Sequence, residues 1–176
     1  MYRFKRLAGI LLALALMILG ILVSAPVAQA DSALTLRSSE EFDCARYKHF
    51  GCFAAFDAMG WATRVTNWKF PNDPSQHNGM ADAFRHCIWM GATATRIGKV
   101  NAFGIGQIHE DHTPNNPQRE RDMDESNNLV GAQIGEDARN MNLTDQWGYV
   151  IEQCESKARN YQLFGLGGVY GKYPSN

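Results

Sequence analysis

Between Met80 and Ile97 the chain carries a helical pattern that constrains its fold more than any other feature. Phe84, Cys87, Ile88, Gly91, Ala92 and Thr95 recur at i, i+3 and i+4, the spacing of a stripe buried on one face of an α-helix. No stretch alternates apolar and polar residues long enough to build a sheet. The pattern therefore predicts a mainly α fold, a single compact domain of about five helices without internal repeats. Glu40 to Trp61 reads as a helix that extends toward Asn67. Val100 to His109 reads as another, weakened by Gly104 and Gly106. Glu120 to Arg139 begins acidic, as a helix N-terminus prefers. Thr144 to Tyr161 is the last, capped by Thr144 or Asp145. Gly98 is the expected stop of the central helix. The segment from Phe164 to Gly171 is glycine-rich and reads as a short hairpin or a loop laid on the core.

The N-terminus has a different logic. Arg3, Lys5 and Arg6 precede an uncharged apolar run from Leu7 to Val23, and Ala28-Gln29-Ala30 is a small-x-small cleavage pattern. Residues 1–30 read as a signal peptide and 31–176 as the helical domain, exported to the periplasm or secreted. The alternative is a retained anchor, because the run nearly reaches the roughly 20 apolar residues that span a bilayer. After cleavage no transmembrane segment is expected. Three of the 17 Lys+Arg and none of the 18 Asp+Glu lie in the leader, which leaves the domain at −4. That charge gives no strong nucleic-acid signal.

Four cysteines, Cys44, Cys52, Cys87 and Cys154, fit two disulfides in an oxidising compartment. On one continuous helix Cys44 and Cys52 would stand about 12 Å apart, beyond the roughly 7 Å a bridge tolerates. A Cys44–Cys52 bridge thus requires a break in the helix. The expectation is long-range staples, Cys52–Cys87 and Cys44–Cys154. Zinc–thiolate binding is disfavoured, since there is no C-x-x-C pair.

Three polar groups could carry chemistry. On the central helix Asp82 and His86 are four apart, with Arg85 and Trp89 close by, so the carboxylate can orient the imidazole. His109 and Glu110 fall at a helix end. They do not make the H-E-x-x-H zinc motif, since position 113 is Thr113. In the third group Asp124 and Asn128 lie on one side of a helix, next to Asn127, and Gly131 and Gly135 continue that edge. Small residues there let another helix approach closely, which would place Asp124 and Asn128 opposite His86. An EF-hand does not fit, because Asn127 and Gln133 occupy the positions of its glycine and its final acid when counted from Asp122. The bland alternative is a structural pair on the central helix and a capping cluster on the later one.

Asp82-Ala83-Phe84-Arg85-His86 with Trp89, then His109-Glu110, then Met123-Asp124 with Asn127-Asn128 and Gly131 resembles a little-characterised bacterial domain family. That family has the pattern D-A-F-R-H-x-x-W, H-E and M-D-x-x-N-N-x-x-G, over about residues 78–135 here. It occurs in exported proteins and at the ends of wall-associated or RHS-type polymorphic proteins. The resemblance implies that the polar residues converge, and it implies a setting of bacterial antagonism. Two functions follow. In the first the protein is a hydrolase, metal-dependent or acid–base, acting on an envelope or extracellular substrate. His86, Asp82, His109, Glu110 and Asp124 would be catalytic, and Arg85, Asn127, Asn128 and Trp89 would hold substrate. A divalent metal is compatible with this set, with His86, His109 and Asp124 as candidate ligands. In the second, a non-catalytic exported domain binds a protein partner or ligand, and the cluster is a structural network.

Overall fold

The computed structural model describes residues 38–48, 50–72, 76–113 and 115–166. The leader with its cleavage site, the lead-in to residue 37 and the tail from residue 167 lie outside the described residues. Among the described residues six helices follow one another: α1 (Ser38–Lys48), α2 (Phe50–Lys69), α3 (Met80–Ile97), α4 (Lys99–Asp111), α5 (Gln118–Asn140) and α6 (Gln146–Arg159). Among the described residues there is no strand, and no helix is long and apolar enough to cross a membrane.

The core is built around α3, which packs against α2, α4, α5 and α6. Every residue from Ala81 to Thr95 is buried. The sequence shows a one-sided stripe, but four surrounding helices bury the whole circumference, polar residues included. Phe84, Ile88, Trp89 and Met90 are fully buried, and each such side chain contributes roughly 1.5–3 kcal/mol by leaving water. Of the four tryptophans, Trp89 is fully buried, Trp61 and Trp147 pack on each other at 4.5 Å, and Trp68 is 70% exposed.

The most extensive contact joins α3 to α5. A Cβ on Gly131 would overlap the carbonyl oxygen of Cys87, and one on Gly135 would overlap that of Gly91. The two backbones therefore touch, which only glycine permits. At Gly98 the chain passes from α3 to α4 with φ +81°, a left-handed conformation suited to glycine. Glu136 then accepts from Lys99 N at 3.0 Å and caps the new helix. Asp145 caps α6, its Oδ1 accepting from Gly148 N at 2.8 Å.

The expected helix from Glu40 is in fact two, α1 and α2, and this supplies the sixth helix. The break meets the condition for bridging Cys44 to Cys52, whose Cα atoms stand 5.7 Å apart. The second bridge is Cys87–Cys154, from α3 to α6, with Cα atoms 5.9 Å apart. The Cys52–Cys87 and Cys44–Cys154 staples are thus corrected: Cys87 lies on the side of α3 that faces α6. The two bridges span 67 and 8 residues. Chain-entropy arguments assign roughly 4 kcal/mol to the long one and 2.5 kcal/mol to the short one. Replacing Cys87 and Cys154 with alanine is expected to lower the urea midpoint more than replacing Cys44 and Cys52. Equal losses would show that the loop length does not set the effect.

Candidate metal and acid–base site

The α3–α5 seam has two ends. Glycines line one end, and the other carries Asp82 and His86 on α3 facing Asp124 and Asn128 on α5. Each pair is spaced i, i+4, so one helical face presents both members. Close backbone approach at Gly131 brings the polar ends into contact. His86 Nδ1 lies 3.1 Å from Asn128 Oδ1. His86 Nε2 lies 3.5 Å from Asp82 Oδ1 and 3.4 Å from Asp124 Oδ1.

Asp82 is held by two hydrogen bonds. Its Oδ2 accepts from Asn78 N at 2.6 Å, and Asn78 takes φ 59° to aim that amide. Its Oδ1 accepts from Arg85 Nη2. Arg85 Nη1 in turn donates to Gln76 O at 3.1 Å. On the solvent side His77, 60% exposed at its side chain, lies 3.9 Å from Asp82 and 3.6 Å from Glu120.

Burial governs the charges here. It lowers the His86 imidazole to a pKa of about 4, against the opposing pull of Asp82. It raises Asp124 well above the ordinary carboxylate range, and the negative charges of Asp82 and Glu110 push the same way. Glu110, 2% exposed, is raised to about 7, again mainly by burial, with His109 opposing the shift. His86 is thus neutral near neutral pH. With Asn128 Oδ1 as acceptor, its one proton sits on Nδ1. The Nε2 lone pair then faces two carboxylate oxygens, and no hydrogen lies among the three unless Asp124 takes up a proton.

Five buried side-chain atoms lack a hydrogen-bond partner among the described residues. Four of them, Arg85 Nε, Glu110 Oε1, Asp124 Oδ1 and Asn128 Nδ2, belong to this cluster. Buried polar groups are normally paired, so such a concentration calls for a specific explanation. A divalent cation would answer Asp124 Oδ1, whereas the N–H groups of Arg85 and Asn128 call for an acceptor. Asp82, His86 and Asp124 each offer one ligand atom, and these atoms lie within 4.8 Å of one another. Ligands at 2.0–2.1 Å around a tetrahedral ion stand about 3.3 Å apart. The two separations from Nε2 match that spacing. Two carboxylates and one imidazole are hard-to-borderline donors suited to zinc or manganese.

The remaining sequence candidates fall into place around this trio. In the group that could hold an ion, Asp82 stands with His86 and Asp124 where the sequence offered His109. The His109 ring packs edge-on against Trp89 at 5.1 Å, and its Nδ1 meets Glu40 Oε1 at 2.8 Å. Trp89 and Asn127, expected to hold substrate, are engaged in the fold. Trp89 Nε1 donates to Ala55 O at 2.9 Å. Asn127 binds both backbone atoms of Phe164, each at 2.9 Å, and so pins the chain after α6. Arg85 is engaged with Asp82 and Gln76. Sequence reasoning missed Glu40, Asn78 and the nearness of His77. The last two lie just before Asp82, where a loop leading into a helix invites inspection, whereas nothing local marks Glu40.

This all-helical fold, with two disulfides and a buried Asp/His/Asp group that could hold a metal ion, defines the class. The chain belongs to the family of domains of unknown function designated DUF6973, which it matches over residues 44–162, a wider span than the motif-bearing core. No solved structure matches the chain.

Proposed function

We propose that this domain is an exported metal-dependent hydrolase acting on an envelope or extracellular substrate, in a setting of bacterial antagonism. The observation that carries the reading is the convergence of one ligand atom each from Asp82, His86 and Asp124 within 4.8 Å of one another, with Nε2 of His86 3.5 Å and 3.4 Å from the two carboxylates. These three residues would hold the ion. When bound, a divalent ion supplies Lewis acidity that polarises the scissile bond and acidifies a water. Asn128 holds the His86 tautomer, and such supporting contacts tune metal affinity. Arg85 and Asn78 N orient Asp82. Glu110, with a pKa of about 7, is divided between its two protonation states near neutrality and suits the general base. Two disulfides accord with an oxidising compartment.

A second reading keeps the cluster structural, in a non-catalytic exported domain that binds a protein partner or ligand. The low exposure of Asp82, His86 and Asp124, 2%, 4% and 7%, favours it. The spacing of the three ligand atoms and the unpaired Asp124 Oδ1 favour the metal. Metal analysis of the mature protein, produced by export, separates the two. Near one equivalent of divalent ion is expected in the parent, with affinity reduced at least about 100-fold in a folded His86→Ala variant. No metal in either protein, after loading with zinc, calcium and manganese, would sink the metal-dependent reading.

A further inference from the structure

We propose that Glu40, from α1, and His109, from α4, form a proton-transfer dyad beside the α3–α5 cluster, so that the first helix completes the site. This rests on the hydrolase reading and deepens it. Glu40 is 2% exposed, and its Oε1 lies 2.8 Å from His109 Nδ1. A buried carboxylate so placed fixes the imidazole with its proton on Nδ1, and it stabilises the imidazolium that forms when Nε2 gains a proton. The ring is braced as well, edge-on against Trp89 at 5.1 Å, and Trp89 is itself tied to Ala55 O. His109 Nε2 takes no hydrogen bond from the described residues, and the side chain keeps 12% exposure. One nitrogen is thus anchored and the other is available.

The location suits the task. His109 adjoins Glu110 in sequence, and the Trp89 ring links it to the cluster, with centroids 5.1 Å from His109 and 6.2 Å from His86. The titratable groups near His109 are Glu40 on α1, His86 on α3 and Glu110 beside it on α4. Hydrolysis needs one proton removed from water and one delivered to the leaving oxygen. Glu110 takes the first as the water oxygen bonds to the electrophile. His109 Nε2 gives the second as the bond to the leaving oxygen breaks. The proton held by Glu110 then returns to His109 through solvent, and both groups are restored. Glu40 never meets substrate and is a positioning residue.

The competing account is that the pair merely docks α1. A second contact already does that: His112 Nε2 meets Asp43 Oδ2 at 2.9 Å, and its Nδ1 meets Ser39 Oγ at 3.2 Å. The two pairs can therefore be separated by substitution. The test is nitrogen NMR of the imidazoles in the full mature protein, alongside Glu40→Gln and His112→Ala. In the parent at alkaline pH, His109 is expected as the Nδ1–H tautomer with a bare Nε2 that reacts with diethyl pyrocarbonate. In Glu40→Gln the two ring-nitrogen shifts should move toward each other, while His112→Ala should leave them in place. An Nε2–H tautomer in the parent, an Nε2 shielded from the reagent, or unchanged shifts in Glu40→Gln would each overturn the dyad. Should Glu40→Gln release α1, seen as a shift of His112, the tautomer and reactivity of the parent still decide. Metal content is scored separately: a metal-free protein showing this tautomer defeats the metal-dependent reading and not the dyad.

Discussion

Replacing Gly131 with alanine is expected to destabilise the protein by about 3 kcal/mol or more and to disable the polar cluster with it. The new methyl would overlap the Cys87 carbonyl oxygen and crowd that residue's backbone. A flexible side chain could swing aside, but a helix backbone cannot. Helices α3 and α5 would have to separate, and α3 is also held by the bridge to α6. Separation would draw Asn128 away from His86, which it meets at 3.1 Å, and Asp124 with it. A Cβ on Gly60 meets nothing nearer than Arg64 Nη1 at 3.5 Å. Gly60→Ala should therefore be neutral or stabilising by up to about 1 kcal/mol through helix propensity. Denaturant midpoints of the two variants would show it. Equal stability would mean that the seam yields more easily than its geometry implies.

Glu110→Gln is expected to remove a strong pH dependence from the stability of the metal-free protein. In the folded state Glu110 holds its proton up to about pH 7, whereas in the unfolded chain it releases it near 4.5. Below 4.5 both states are protonated and nothing is lost. As pH rises from 4.5 to 7, the unfolded state ionises freely and the folded state does not. Stability falls across that window by about 3 kcal/mol and levels off above it. His86 acts in the opposite sense. Its folded pKa is about 4, so stability is lost as pH falls from 6.5 toward 4, where the unfolded imidazole takes a proton first. The two trends oppose each other in the parent. The difference between parent and Glu110→Gln, measured by urea unfolding with chelator from pH 4.5 to 8, isolates the carboxyl. The parent should lose about 3 kcal/mol relative to the variant across that range. A constant difference would show that Glu110 ionises normally, and would remove it as the general base.

The helices themselves were largely legible. Met80–Ile97 matches the expected bounds because Gly79 and Gly98 end a segment rich in helix formers, and the later helices shift by two residues or fewer at each end. The polar pairs were legible as pairs, since Asp82 with His86 and Asp124 with Asn128 each follow one turn of helix. Even the glycine edge at Gly131 and Gly135 was readable as a place of close approach. The division into α1 and α2 was not. Gly51 lies beside it, but a lone glycine does not end a helix, and the break became visible only in the pairing of Cys44 with Cys52.

By itself, the sequence determined what local physics can decide: helix against strand, the faces on which acids and imidazoles fall, and the small residues that let helices touch. Tertiary structure decided which of those faces meet. It put Asp82 rather than His109 beside Asp124, used Asn127 to pin Phe164, placed Trp89 in the core, and brought Glu40 to His109 across 69 residues. The reason is that helical periodicity repeats every few residues and is written locally. Pairing between helices depends on their relative rotation and approach, which the chain sets only when the whole core is packed.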